Sequence, residues 1–188
     1  MDEKKDIQLT ECADNTRESK EYWDKRIQDN WNKPFHGMYL DDEELIHKMD
    51  RRNFDTLLER IHILNCRYDD KVDILEAGCG NGRYIKTILP VINSYTGFDL
   101  AKLNIEEAKR VYQGNPAIEL HELNMLDAQS HFIGRKFHLI FMVATLTSIQ
   151  RNFYTVLKGL KTLLHKGESI FVFEQDMFIE HWGDWKQL

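Results

Sequence analysis

The chain has 188 residues, of which 42% are hydrophobic and 30% are charged, and its formal net charge is −6. This length and composition are typical of one folded domain with a core of its own. The acidic balance argues against a nucleic-acid partner, because neutralising phosphates needs a surplus of basic side chains.

Neither a membrane helix nor a secretory signal is visible, because no apolar run approaches the roughly 20 residues that a bilayer span needs. The three cysteines, Cys12, Cys66 and Cys79, are widely spaced. That spacing fits neither a disulfide framework nor a zinc or iron–sulfur site. We therefore expect a cytoplasmic location, no membrane association and no bound metal.

Two helices are predicted in the first third of the chain. Residues 19–31 form an aromatic-rich helical pattern, for which Ser19 is a suitable N-cap. A capping box at Asp41 and Glu44 then opens helical sequence that continues to about Leu64. We expect this part of the chain to form a helical cap or lid.

From residue 71 onward, short apolar segments alternate with amphipathic ones. Such alternation predicts a parallel sheet covered by helices on both faces, which binds ligands beyond the carboxyl ends of its strands. We place the cap in residues 1–66 and the α/β domain in residues 67–188, within one compact unit. Strands are predicted at 72–77, 94–100, 118–123, 137–143 and 169–173, and helices at 83–89, 103–113 and 152–166.

A glycine-rich loop follows the first predicted strand directly. The sequence Glu76-Ala77-Gly78-Cys79-Gly80-Asn81-Gly82 passes from the strand into a helix. Glycines at such a place let the backbone turn sharply and let a ligand lie against the main chain. The third glycine stands one residue earlier than in the dinucleotide fingerprint, which favours a ligand smaller than a pyrophosphate.

An acid ends the second predicted strand. Asp99 lies 21 residues after Gly78. A carboxylate at about this distance beyond a glycine loop accepts hydrogen bonds from both hydroxyls of a ribose.

Together these motifs resemble those of Rossmann-like S-adenosylmethionine-dependent methyltransferases. Residues 74–82 resemble the first motif of that family, and Gly97-Phe98-Asp99-Leu100 resembles the second. Residues 137–140 resemble its fourth strand, and residues 157–173 its long helix and fifth strand. The resemblance covers about residues 70–175. It implies a three-layer α/β sandwich with a mostly parallel sheet, and S-adenosylmethionine as the cofactor, with S-adenosylhomocysteine as the product.

The resemblance also implies roles for individual residues. Glu76 and the glycine loop would hold the methionine end of the cofactor, Asp99 its ribose, and Leu100 its adenine. The family often has an acid after the third strand that contacts the adenine amino group. Here Asn124-Met125 occupies that place and Asp127 follows three residues after Asn124, so which residue contacts the adenine stays open. The sulfonium would lie near Val143 to Thr145. In the sheet domain, the expected cofactor residues are Glu76, Ala77, Gly78, Cys79, Gly80, Gly82, Asp99, Leu100, Asn124, Met125 and Val143.

Small-molecule methyltransferases often close this site with an aromatic N-terminal helix. On that resemblance, Tyr22, Trp23 and Arg26 are candidates for such a lid, with an aromatic ring as a cation–π partner of the sulfonium and Arg26 as a partner of the cofactor carboxylate. Simple packing of the helix on the domain is the alternative. A general base would come from His36, Glu174 or Tyr22.

We expect methyl transfer to an oxygen or nitrogen atom of a small molecule. Two other functions share the fold: a nicotinamide-dependent oxidoreductase, and a protein that binds the cofactor without transferring a methyl group. Binding of S-adenosylhomocysteine rather than NAD separates the first, and turnover assays separate the second.

The end of the sequence leads to a further expectation. The sheet of the family has seven strands, but residues 174–188 are too few to form the last two. We therefore expect five parallel strands and an open edge at 169–173, which invites pairing with another chain. The apolar residues Phe178, Ile179, Trp182 and Trp185 could cover that edge. The expected outcome is a homodimer built through this end, or a chain shorter than its natural length.

Overall fold

The computed structural model of the chain describes residues 19–31, 43–145, 148–149 and 152–173. Two helices, α1 (Lys20–Asp29) and α2 (Glu43–Tyr68), precede an alternation of strands and helices. Short 3₁₀ helices occupy Leu89–Val91 and Met125–Asp127. The other elements are β1 (Asp73–Ala77), α3 (Ile85–Ile88), β2 (Ser94–Asp99), α4 (Lys102–Val111), β3 (Ile118–Glu122), α5 (Ala128–His131), β4 (Leu139–Val143), α6 (Phe153–Lys161) and β5 (Ile170–Phe173).

The five strands of the described residues form one parallel sheet in the order β3-β2-β1-β4-β5. After β3 the chain crosses to the other side of β1, so the order reverses between β1 and β4. Ala77 pairs with Phe98, and Val143 with Phe173, which brings the carboxyl ends of the strands to one edge. The fold class, a mostly parallel five-stranded α/β sandwich preceded by an N-terminal helix, is therefore confirmed. A sheet of this topology opens a ligand crevice at the reversal, beyond the end of β1.

Apolar side chains cover both faces of the sheet, because every residue of β4 and most of β1 are buried. On one face, residues of α2 and α4 pack against alternate strand residues, including Ile74 and Phe141. On the other face, residues of α5 and α6 pack against Leu75 and Ile140. The period of two along each strand thus supplies two separate apolar layers.

Helix α2 extends four residues beyond its predicted end. It stops where Asp69 adopts a left-handed φ of 53°, the conformation that glycine more often supplies after a helix. Beside it, the side chain of Asn65 accepts from the Val72 N–H at 3.1 Å and donates to the Val91 carbonyl at 2.7 Å. The end is therefore fixed partly by contacts with distant residues, which a helix-stop pattern does not contain.

The predicted helix at 83–89 is much shorter than expected. Only Ile85–Ile88 is α-helical, and Pro90 lies within the 3₁₀ helix that follows. Glycine turns hold the preceding residues, since the Gly82 N–H donates to the Cys79 carbonyl and the Ile85 N–H to the Gly82 carbonyl. The helix consequently begins later than the apolar pattern indicates.

The N-terminal region is joined to the sheet domain through α2. Leu57, Ile61 and Leu64 of this helix are fully buried in the same core as β1 and β4. Helix α2 also crosses the expected division between residues 66 and 67, and that division stays a prediction. Among the described residues, no helix is both long and apolar enough to cross a bilayer.

Candidate functional site

The glycine loop is bound to the neighbouring strand by its own amides. The N–H groups of Gly78 and Cys79 both donate to the Phe98 carbonyl, at 2.8 and 3.0 Å. Gly78, Gly80 and Gly82 all have positive φ angles, of 79°, 55° and 79°. Side chains other than hydrogen are strained in this region, so the loop follows a path that its glycines permit.

The space above Gly78 is filled from two directions. A Cβ added to Gly78 would lie 2.5 Å from the Thr145 side chain and 3.0 Å from Met125 Cε. Thr145 after β4 and Met125 after β3 therefore both lie against the loop, and their roles toward a cofactor stay predictions. A Cβ at Gly80, in contrast, would meet only Asn104 Nδ2, at 3.9 Å. The backbone of Gly80 is thus open to close approach by a ligand.

Asp99 lies at the tip of β2 and is tied to the glycine loop. Its Oδ2 accepts the Gly80 N–H at 2.9 Å, and its Oδ1 accepts the Ala101 N–H at 2.8 Å. Burial raises the pKa of this carboxyl, while these two amides and the Asn104 side chain act in the opposite direction. Each carboxylate oxygen has a second lone pair, so the group retains acceptor sites for hydroxyl groups of a ligand.

Asn104 is a site residue that the sequence did not reveal. It lies on the first turns of α4, is 8% exposed, and hydrogen-bonds the Asp99 carboxylate. A buried amide of this kind needs a polar partner. Its position as the third residue of the helix, five residues after Asp99, is the signal that could have identified it.

Beneath the loop, Glu76 is almost completely buried, with 1% of its surface exposed. The Tyr95 hydroxyl donates to Glu76 Oε2 at 2.5 Å. Burial raises the pKa of Glu76 to about 8, although the tyrosine and the nearby Arg83 guanidinium partly oppose this rise. Tyr95 was also missed by sequence reasoning, which assigned it only to a strand.

Glycine at position 97 makes the contact between Tyr95 and Glu76 possible. A Cβ at Gly97 would lie 2.8 Å from the Tyr95 hydroxyl and 3.0 Å from Cys79 Sγ. Burial raises the pKa of the Cys79 thiol well above its ordinary value, with Asp99 and Glu76 adding to the effect. Cys79 is thus a buried neutral thiol that packs under the loop, and thiolate nucleophilicity is disfavoured there.

A polar contact connects α2 with the residues after the loop. Asp50 is 6% exposed, and it accepts a hydrogen bond from Arg83 Nη1 at 3.2 Å and one from the Tyr84 hydroxyl at 3.0 Å. The guanidinium also lies over the Tyr84 ring, 5.2 Å from its centroid. Helix α2 therefore fixes the position of Arg83, whose charge acts on Glu76.

Strain is present where β4 leaves the sheet. Ala144 has a φ of 52°, which is uncommon for a residue other than glycine, asparagine or aspartate. Its N–H donates to the Phe173 carbonyl at 2.8 Å, and the Thr145 hydroxyl donates to the Val143 carbonyl at 2.9 Å. These bonds hold a turn that costs about 1 kcal/mol or more. Strained turns of this kind concentrate at ligand sites.

Helix α1 lies at the same edge of the sheet. Ser19 caps it, accepting the Tyr22 N–H at 3.1 Å as the sequence predicts. Asp24 of this helix contacts the start of α4 and contributes to the electrostatic environment of Asp99. Tyr22 and Arg26 are half-buried on the helix, and their roles toward a cofactor stay predictions.

Leu100 is half-buried directly after Asp99, and Val143 is 6% exposed at the end of β4. Asn124 accepts the Leu126 N–H at 2.9 Å and so caps the 3₁₀ helix. His36 and Glu174, the candidate bases, lie outside the described residues, as do Asp41 and the predicted C-terminal apolar set. In the described ranges, no group of His, Cys, Asp and Glu side chains is arranged to hold a metal ion.

The described residues fit S-adenosylmethionine. The open backbone at Gly80 and the acceptor sites of Asp99 suit an adenosine ribose, and the buried Glu76 supplies an acid beneath the loop. All of these residues lie at the crevice where a parallel sheet of this strand order binds its ligand.

Comparison with known proteins is consistent with this site. A family described as a methyltransferase domain matches residues 74–167, which is half of the chain. No curated protein sequence matches the chain significantly.

Several solved structures share the fold. Magnesium protoporphyrin IX methyltransferase from Synechocystis PCC 6803, with bound SAM, superposes with a TM-score of 0.59 at 14% identity, over 80% of this chain and 72% of its own. The SAM-bound amino pentose methyltransferase CalS10 from Micromonospora echinaspora gives 0.54 at 16%, over 73% and 58%.

The bifunctional kinase-methyltransferase WbdD gives a TM-score of 0.53 at 15% identity over 61% of this chain. The match spans only 27% of the length of WbdD. At these identities the three likenesses show the fold alone.

Proposed function

Because the chain belongs to the methyltransferase-domain family, we propose that it transfers a methyl group from S-adenosylmethionine to an oxygen or nitrogen atom of a small molecule. The observation that carries this proposal is the direct bond between the Gly80 N–H and Asp99. This bond links the glycine loop to the acid at the end of β2, which are the two motifs from which the cofactor was inferred.

In this proposal Asp99 holds the ribose hydroxyls, and Asn104 and the Ala101 amide keep its carboxylate oriented. Preorganisation of this kind lowers the ordering cost of binding. Glu76 holds the methionine end from below the loop, with Tyr95 fixing its carboxyl group. Met125 and Thr145 border the loop on the side where β4 ends.

The cofactor supplies a methyl carbon that is already activated by a positively charged sulfur. The protein therefore has mainly to align an acceptor atom with that carbon and to exclude water. A base is needed in addition when the acceptor is a hydroxyl group or a protonated amine. Tyr22 of α1 is the described candidate for that role, and His36 and Glu174 are the others.

A small-molecule acceptor is supported by two of the structural relatives, which act on magnesium protoporphyrin IX and on an amino pentose. The net charge of −6 agrees with this class, since nucleic-acid substrates favour a basic surface. We also propose a cytoplasmic location. The homodimer through the C-terminal end stays a prediction.

The test is turnover of S-adenosylmethionine with a panel of small molecules that carry hydroxyl or amine groups. We expect acceptor-dependent formation of S-adenosylhomocysteine, and loss of it in Asp99→Ala. Asp55→Ala, an exposed acid on α2, is the matched control and should retain turnover. Binding of S-adenosylhomocysteine without turnover on any acceptor would favour a cofactor-binding protein. Oxidation of a substrate with NAD would contradict the proposal.

A further inference from the structure

Helix α4 begins directly after the proposed ribose acid, but it has no capping side chain of its own. Its N-cap is Ala101, which makes no side-chain hydrogen bond to the helix. The first N–H groups of a helix need acceptors from elsewhere. Here the Lys102 N–H donates to Asp24 Oδ1 at 2.9 Å, so the cap comes from α1, 78 residues earlier in the chain.

Two neighbouring amides of this turn are therefore held by acids from different parts of the chain. The Ala101 N–H donates to Asp99, and the next amide, that of Lys102, donates to Asp24. Asp99 in turn accepts the Gly80 N–H of the glycine loop. An unbroken series of contacts thus leads from α1 through the turn to the loop.

A lysine keeps Asp24 in place. Lys20 Nζ lies 3.0 Å from Asp24 Oδ2 and 2.8 Å from Glu122 Oε1. Glu122 ends β3 and pairs in register with Asp99. Helix α1 is consequently anchored at the carboxyl ends of both strands that border the proposed adenosine site.

The surface of α1 agrees with this docking. Ile27, which follows Asp24 by almost one turn, is fully buried. Lys25 and Asp29, on the side of the helix away from Ile27, are exposed.

We propose that Asp24 is a positioning residue. It couples docking of α1 to cofactor binding by capping α4, the helix that begins in the turn directly after Asp99. The inference rests on the proposed function, in which Asp99 binds the cofactor ribose. Docking of α1 orders the turn that carries Asp99, so a bound cofactor favours the docked helix. By reciprocity the docked helix favours the cofactor to the same extent.

The test is calorimetric titration of the full chain with S-adenosylhomocysteine, in wild type and three variants of α1. Asp24→Ala removes the cap, whereas Asp24→Asn keeps a side chain that caps equally well. Asp29→Ala removes an exposed acid from the same helix. We expect affinity to fall about 5-fold in Asp24→Ala, as for loss of one helix cap, and to change less than about 2-fold in the other two.

A second readout separates coupling from a merely structural role. In the wild type, S-adenosylhomocysteine should slow amide hydrogen exchange in residues 20–29 and at Lys102. This protection should be much smaller in Asp24→Ala, although that variant stays folded. A structural role alone would lower stability without changing the affinity of the folded chain.

Equal affinity in Asp24→Ala and Asp29→Ala would overturn the inference. Equal weakening in Asp24→Asn and Asp24→Ala would also overturn it, because the ion pair with Lys20, not the cap, would then carry the effect. Failure of the wild type to bind S-adenosylhomocysteine would instead contradict the proposed function.

Discussion

The buried acid beneath the glycine loop should make the cofactor-free protein less stable as pH rises. The pKa of Glu76 is about 8 in the folded chain and 4.5 when unperturbed, with burial as the main cause. Between these two values the folded chain binds more protons than the unfolded chain. The free energy of unfolding therefore decreases with rising pH across this window, and the penalty is complete above about pH 8.

The variant Glu76→Gln removes this penalty. Its amide oxygen still accepts the Tyr95 hydroxyl, but the side chain carries no charge at any pH. One pKa unit corresponds to about 1.4 kcal/mol, so at pH 7 the penalty that the variant escapes is about 3 kcal/mol. Near pH 4 it should be close to zero.

The assay is urea unfolding of both proteins without cofactor, at pH 5, 6, 7 and 8. We expect the advantage of Glu76→Gln to grow by about 1 kcal/mol per pH unit. Glu59→Gln, the same change at an exposed position of α2, should show no such trend. The variant should also bind S-adenosylhomocysteine more weakly. A difference between Glu76→Gln and wild type that is equal at pH 5 and pH 8 would refute the reasoning.

Two further predictions concern backbone space and protonation. Gly78→Ala should destabilise the chain by about 2 kcal/mol more than Gly134→Ala, because both have positive φ but only Gly78 meets Thr145; equal losses in urea unfolding would contradict this. Burial lowers the pKa of His121, whose Nδ1 lies 3.1 Å from Nε2 of His131. The same ring also contacts Glu119 and lies near the charge of Arg135, which is paired with Glu119. Below about pH 6.5 the unfolded chain therefore binds more protons at His121 than the folded chain does, so the contribution of His121 to stability should fall as the pH drops, with a slope opposite to that from Glu76. His121→Gln should reduce that slope and exposed His62→Gln should not; an unchanged slope in His121→Gln would count against the assignment.

The strand, loop and acid of the site could be predicted from the sequence because each is a local pattern. Residues 74–82 contain a buried strand and the glycines that need positive φ, so their conformation follows from neighbouring residues. The position of Asp99 follows from the length of one strand-helix-strand unit. The structure has the strand and its glycine loop at residues 73–82, and Asp99 at the end of β2, as the sequence predicts.

The contacts that orient these groups could not be predicted in the same way. Tyr95 reaches Glu76 only because two parallel strands are in register and position 97 is glycine. The cap that Asp24 provides to the Lys102 N–H joins residues 78 apart, and neither local sequence contains a pattern that predicts this contact. Such partners depend on how distant elements pack, which periodicity and spacing do not specify.

The most direct test of the central claim is calorimetric titration of the full chain with S-adenosylhomocysteine and, separately, with NAD. A site made of the open Gly80 backbone, the proposed ribose ligand Asp99 and the buried Glu76 should bind S-adenosylhomocysteine at a single site per chain. It should show no binding of NAD at the same concentrations. The third glycine of the loop, Gly82, stands one residue earlier than in the fingerprint of a pyrophosphate-binding loop. Tight binding of NAD without binding of S-adenosylhomocysteine would contradict the account.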